Sequence, residues 1–125
     1  MPRDNPRAKR LAGEMQRVLT EVLRRDVKDS RIGNVTITDV EVSGDLSSAK
    51  VFYLIFGREG PDPQVQRGLD SAAGFLRNAL SRSLMIRHTP TLSFERDTSI
   101  ERGVRLARLI DEANKPGDGD GGGND

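Results

Sequence analysis

The chain has no cysteine, no tryptophan, one histidine and one tyrosine among its 125 residues. Without cysteine, neither a disulfide framework nor a thiolate metal site is available, and a lone histidine cannot complete a zinc ligand set. No segment approaches the roughly 18 apolar residues that a membrane span requires. The opening MPRDNPRAKR is charged and lacks an apolar segment behind it, so it does not read as a secretory signal. These absences lead to the expectation of a cytoplasmic protein with no membrane partner. The length suits one domain, because two separate cores would each be too small to be stable.

Chemistry-bearing motifs are equally scarce. There is no GxxxxGK[ST] to cradle nucleotide phosphates. His88, beside Arg87 and before Thr89-Pro90, is the sole candidate base, and no sequence feature places a serine next to it. Gly57-Arg58-Glu59-Gly60 has the form of a GxxG phosphate loop, but it precedes prolines and reads as a plain turn. No catalytic residue, metal, cofactor or small-molecule substrate is expected.

What is present is segregated charge. Residues 111–125 carry a net charge of −4, leaving +5 on residues 1–110. Of the 20 cationic residues, 16 are arginine, whose planar fork suits phosphates. A basic body with an acidic tail suits a polyanionic partner.

The patterning gives the elements. Asn5-Pro6 is a cap-then-proline signal, and Leu11, Met15, Val18, Leu19 and Val22 form a helical stripe ending near Asp26. Val35–Val42 changes parity at Thr38-Asp39, predicting a bulged strand. Ser43-Gly44-Asp45 is turn chemistry, and Ala49–Phe56 is apolar on both parities, as in a central strand. Asp62-Pro63 opens a second helix that runs to about Ile86. Gly68 and Gly74 weaken it, predicting a kink at Ala72-Ala73-Gly74. Thr91–Arg96 alternates as a third strand. Thr98-Ser99-Ile100-Glu101 matches a capping box for a last helix, with Ile100, Val104, Ala107 and Ile110 on one face. The Gly/Asp-rich end cannot bury apolar surface and is expected to be disordered. The predicted fold is α+β, in the order α-β-β-α-(kink)-α-β plus a C-terminal helix. Helices cover one face of a three-stranded mixed sheet whose second and third strands are parallel. The expected division is a domain over 1–113 and an acidic tail over 114–125.

Cationic residues gather at Arg3–Arg31 and at Arg67–Arg87. If the first two helices are neighbours, Arg10, Arg17, Arg24, Arg25, Lys28 and Arg31 can merge with Arg77, Arg82 and Arg87 into one RNA-binding face. Of the few aromatics (Phe52, Tyr53, Phe56, Phe75 and Phe94), four lie in or beside strands and read as core rather than stacking platforms.

Several motifs in combination resemble the ribosome-binding factor A family. They are Lys28-Asp29-x-Arg31-Ile32-Gly33, Asp45-Leu46-x-x-Ala49-x-Val51, Ala72-x-Gly74, Pro90-x-Leu92-x-Phe94 and Asp97-x-Ser99. The resemblance covers about residues 6–110, and Ser30 departs from it where the family often has proline. It implies a type II K-homology-like fold in which an Ala-x-Gly kink replaces the GxxG loop. It also implies a monomeric, non-catalytic protein. The implied partners are the free 30S small ribosomal subunit and its 16S rRNA, near the neck and the 5′-terminal helix. The implied role is late assembly, rRNA processing and cold adaptation. The alternative is a general single-stranded RNA binder of K-homology-like fold.

Overall fold

The computed structural model describes residues 5–114. Helix α1 (Pro6–Arg25) starts where Asn5 accepts hydrogen bonds from the amides of Arg7 and Ala8 through its side chain. Proline at the first helical position costs nothing there, because its missing amide would have lacked a partner anyway. A single 3-10 turn, Ser30–Ile32, leads to β1 (Val35–Val42), β2 (Ser48–Ile55), α2 (Pro63–Leu84), β3 (Thr91–Arg96) and α3 (Ser99–Asn114). The sheet order is β1-β2-β3. β1 and β2 are antiparallel with a register shift between Ile37 and Asp39, and β2 and β3 are parallel. The bulge, the mixed sheet and the strand limits of β1 and β3 are therefore as expected.

The core lies between the sheet and α1 with α2. Met15, Leu19, Val51, Leu69, Leu76 and Leu80 are fully buried within it. Ile32 closes one end. A polar bridge crosses this layer: the Tyr53 hydroxyl donates to Gln66 Oε1 at 2.6 Å, and Gln66 Nε2 donates to the Phe94 carbonyl at 3.0 Å. Burial pushes the Tyr53 phenol above its usual range.

Three expectations need correction. Helix α2 is continuous through Ala72, Ala73 and Gly74, so the expected pair of helices is one helix of 22 residues. Gly74 is exposed and its own chain leaves open space around it, whereas the buried Leu69, Leu76 and Leu80 hold the helix as one unit. Secondly, α3 covers nothing: every one of its residues is exposed. Thirdly, no reciprocal capping box forms at its start. Asp97 accepts from the Ser99 amide at 2.8 Å, and Glu101 turns instead to Arg96 at 2.7 Å. The acidic tail lies outside the described residues, apart from Asn114.

Candidate nucleic-acid interface

Helices α1 and α2 run antiparallel. The start of α1 is tied to the β1–β2 turn by Asn5 Nδ2, which donates to the Gly44 carbonyl at 3.0 Å. Its first turns share a groove with Ile86, just beyond the end of α2. At the other end, Ile32 lies so close to Gly68 that a β-carbon there would sit 2.7 Å from its Cγ2. Glycine at 68 is thus required by close packing of the 3-10 turn on α2.

Arg10, Arg17 and Arg24 recur every seven residues on α1, opposite the stripe of Met15, Leu19 and Val22. At 1.5 Å per residue they span about 21 Å along one solvent-facing ridge. On α2, Gly68, Phe75 and Arg82 share a side by the same spacing. Since Gly68 abuts the turn that follows α1, Arg82 stands on the flank of α2 that faces α1. Arg87 follows Ile86 at the same end as Arg10. Arg10, Arg17, Arg24, Lys28, Arg82 and Arg87 are all exposed, with no ion-pair partner among the described residues.

The other three candidates are engaged. Arg31 grips the Asp29 carboxylate with Nη2 at 2.6 Å and Nε at 3.0 Å. Those bonds hold the Asp29 carboxyl down at about 2 and raise the guanidinium further. Arg77 donates to the carbonyls of Thr89 (2.8 Å from Nη2) and Pro90 (3.2 Å from Nε), fixing the approach to β3. Arg25 makes two loose surface pairs, with Glu21 at 3.9 Å and Asp26 at 3.5 Å, of a kind worth little and easily exchanged for a phosphate. Ala72 and Ala73 are half-buried against the core, so they act in packing. His88 is exposed. No cluster of metal-binding side chains occurs among the described residues. No helix among them is long and apolar enough to cross a membrane.

Sequence patterning missed Arg7, which is exposed on the first turn of α1, and the apolar groups beside it. It also misjudged Phe56, which is 81% exposed, while Tyr53 and Phe94 are core as expected. Gly57 and Gly60 have positive φ, 81° and 86°, so the chain turns on these two glycines.

The profile of the family described as ribosome-binding factor A matches residues 7–110. The chain belongs to the ribosome-binding factor A family. It is 51% identical over 113 residues to ribosome-binding factor A of Nitrosospira multiformis, with 90% of each chain covered. It is 49% identical over 115 residues to that of Pseudomonas putida, covering 90% of this chain and 87% of the relative. Among solved structures, the crystal structure of ribosome-binding factor A from Thermus thermophilus superposes with a TM-score of 0.63 at 29% identity. That match covers 71% of this chain and 94% of the Thermus chain. A homology model of the Thermus protein, fitted into a cryo-EM map of a 30S–ribosome-binding factor A complex, matches with a TM-score of 0.59 at 29% identity. It covers 70% of this chain and 91% of that one. Membership of the ribosome-binding factor A family agrees with the α+β order and parallel β2–β3 crossover described above.

Proposed function

We propose that this chain binds the free 30S subunit in the cytoplasm during late assembly and assists 16S rRNA maturation, as a monomer and without catalysis. The observation that carries this reading is the unpaired arginine ridge of α1, extended by Arg82 and Arg87 across the neighbouring helix. A row of guanidinium groups on one face suits the regularly charged backbone of folded rRNA. The family relationship supports the choice of partner, since a homology model of the Thermus relative was fitted into the map of a 30S complex.

The mechanism is differential binding. A protein that fits one arrangement of immature rRNA helices better than another shifts their populations by that difference alone, with no covalent step. Arg10, Arg17, Arg24, Lys28, Arg82 and Arg87 are the phosphate contacts, with Arg25 joining by exchange of its loose pairs. Arg31 and Arg77 act by holding the loops on which that surface rests. Residues 1–113 constitute the binding unit.

Sedimentation with isolated small subunits across a salt series tests the proposal. Replacing Arg10, Arg17 and Arg24 together by Gln is expected to weaken binding and to flatten the salt dependence by about 2–3 in log–log slope, near 0.7–0.9 per lost phosphate contact. Binding that is indifferent to salt, or equal for an unstructured oligonucleotide, would overturn the reading.

A further inference from the structure

Leu46 and Met85 are the two non-glycine residues with positive φ among the described residues, at 64° and 53°. Met85 is there as the left-handed cap that ends α2, its amide donating to the Ser81 carbonyl at 3.0 Å. Leu46 holds the same conformation inside a turn, where such strain concentrates at recognition sites. The two flank one place. Leu46 and Ile86, the residue after Met85, line a groove of about 330 Å³ beside the first turns of α1, with Leu11, Arg7, Arg10 and Glu14 around it.

Core packing does not account for these apolar groups. Leu11 packs against the core, but Leu46 and Ile86 do not belong to it, and Met85 is 88% exposed. The turn that carries Leu46 is rigidly built. The Asp45 carboxylate accepts from both Ser43 and Ser47 hydroxyls and from the Ser47 amide, while the Leu46 amide donates to the Ser43 carbonyl at 2.9 Å. Those bonds hold the Asp45 carboxyl at about 2. The turn therefore forces Leu46 into the left-handed region, where glycine would sit without strain, and so points to a use for the leucine side chain.

We propose that this groove seats one unstacked base of the bound rRNA. Leu46 and Ile86 form the walls, Met85 wedges against the neighbouring base, and Arg7 and Arg10 take the flanking phosphates. The charge complementarity is local: Arg7 and Arg10 line the groove with Glu14, and Arg82 and Arg87 stand at the same end of the helix pair, while the Asp45 carboxylate beside Leu46 is taken up by Ser43 and Ser47. Glu14 can accept from the exocyclic amine of a base, as carboxylates do from cytosine. Apolar side chains that grip an unstacked base gain affinity whatever its identity.

The inference rests on the rRNA-binding reading, and the experiment separates the two. Leu46→Gly removes a wall while suiting the backbone, so its melting temperature should hold or rise. Its affinity for isolated 30S subunits should fall about tenfold, with the salt slope unchanged because no charge is lost. Ile86→Ala should do the same, and decides the matter if Leu46→Gly perturbs the turn. Affinity within twofold of wild type for Ile86→Ala and a stable Leu46→Gly, while Arg17→Gln weakens binding, would overturn the groove and leave the broader reading standing. Failure of the wild-type chain to bind at all would remove both. A benzophenone side chain in place of Met85 should crosslink to 16S rRNA. Crosslinks to ribosomal protein alone would reject a base as the occupant.

Discussion

Helices α1 and α3 carry apolar stripes of the same helical period, yet α1 buries Ala8, Met15, Val18, Leu19 and Val22, while α3 buries nothing. Ile100, Val104, Leu106, Leu109 and Ile110 are all more than half exposed. The difference lies in the space available. Three strands make a sheet about 14 Å wide, and two helices packed about 9–10 Å apart already cover one face of it. α1 and α2 occupy those places. α3 leaves β3 with its first turn held by Asp97 and by the Arg96–Glu101 pair, and no place remains in the helix layer. An amphipathic pattern thus specifies that a helix has an apolar face, without specifying that the chain itself covers it.

The strongest way to break this comparison is to truncate one leucine on each side of it. Leu19, fully buried on α1, should cost about 2–5 kcal/mol when changed to Ala. Leu106→Ala on α3 should change stability by less than about 0.5 kcal/mol. Equilibrium denaturation measures both, and comparable losses would mean that α3 is packed in solution.

Two glycines on α2 sharpen the contrast between crowded and open positions on one helix. Gly68→Ala drives a β-carbon to 2.7 Å from Ile32 and 3.2 Å from the Arg31 β-carbon. The overpacking cost of about 1–3 kcal/mol should exceed the gain in helix propensity of about 1 kcal/mol. Gly74→Ala meets open space, so it should gain up to about 1 kcal/mol. Thermal melts of the two variants should therefore move in opposite directions. A loss at both positions would restore a backbone requirement at the Ala72–Gly74 segment.

A smaller effect concerns the two loop clamps of the folded body. Asp29 and Asp45 are held at about 2, against an ordinary value of 3.8, by Arg31 and by the serine hydroxyls respectively. Below about pH 4 the unfolded chain takes up protons that these folded carboxylates still refuse. Stability present above that pH should decline as pH falls toward 2. Asp29→Asn and Asp45→Asn should each flatten this decline in melting temperature. An unaltered acid profile in both would show that the two loop clamps contribute nothing.

The smallest expected change concerns the acidic end. Deleting residues 114–125 removes Asp118, Asp120 and Asp125 with Lys115. If these carboxylates compete with RNA for the arginine ridge, small-subunit binding at low salt should tighten about twofold. No change on deletion would count against that competition.

The elements themselves were legible from local rules. Asn5-Pro6 and Asp62-Pro63 mark helix starts whatever surrounds them, because capping involves only adjacent backbone amides. The parity change at Thr38-Asp39 marks the bulge, since side chains alternate strictly along a strand. The heptad row Arg10, Arg17 and Arg24 was likewise written into the chain. Tertiary structure decided the rest. It took Arg77 out of the free cations, because the Thr89 and Pro90 carbonyls reach it only when the chain folds back after α2, whereas Arg31 is claimed locally by Asp29 two residues before it. It made α2 a single rod, because burial of Leu69, Leu76 and Leu80 outweighs the weak helix propensity of two glycines. It also brought Leu46, Ile86 and Arg10 to one groove, since residues so far apart in the chain meet only when two antiparallel helices settle on the same sheet.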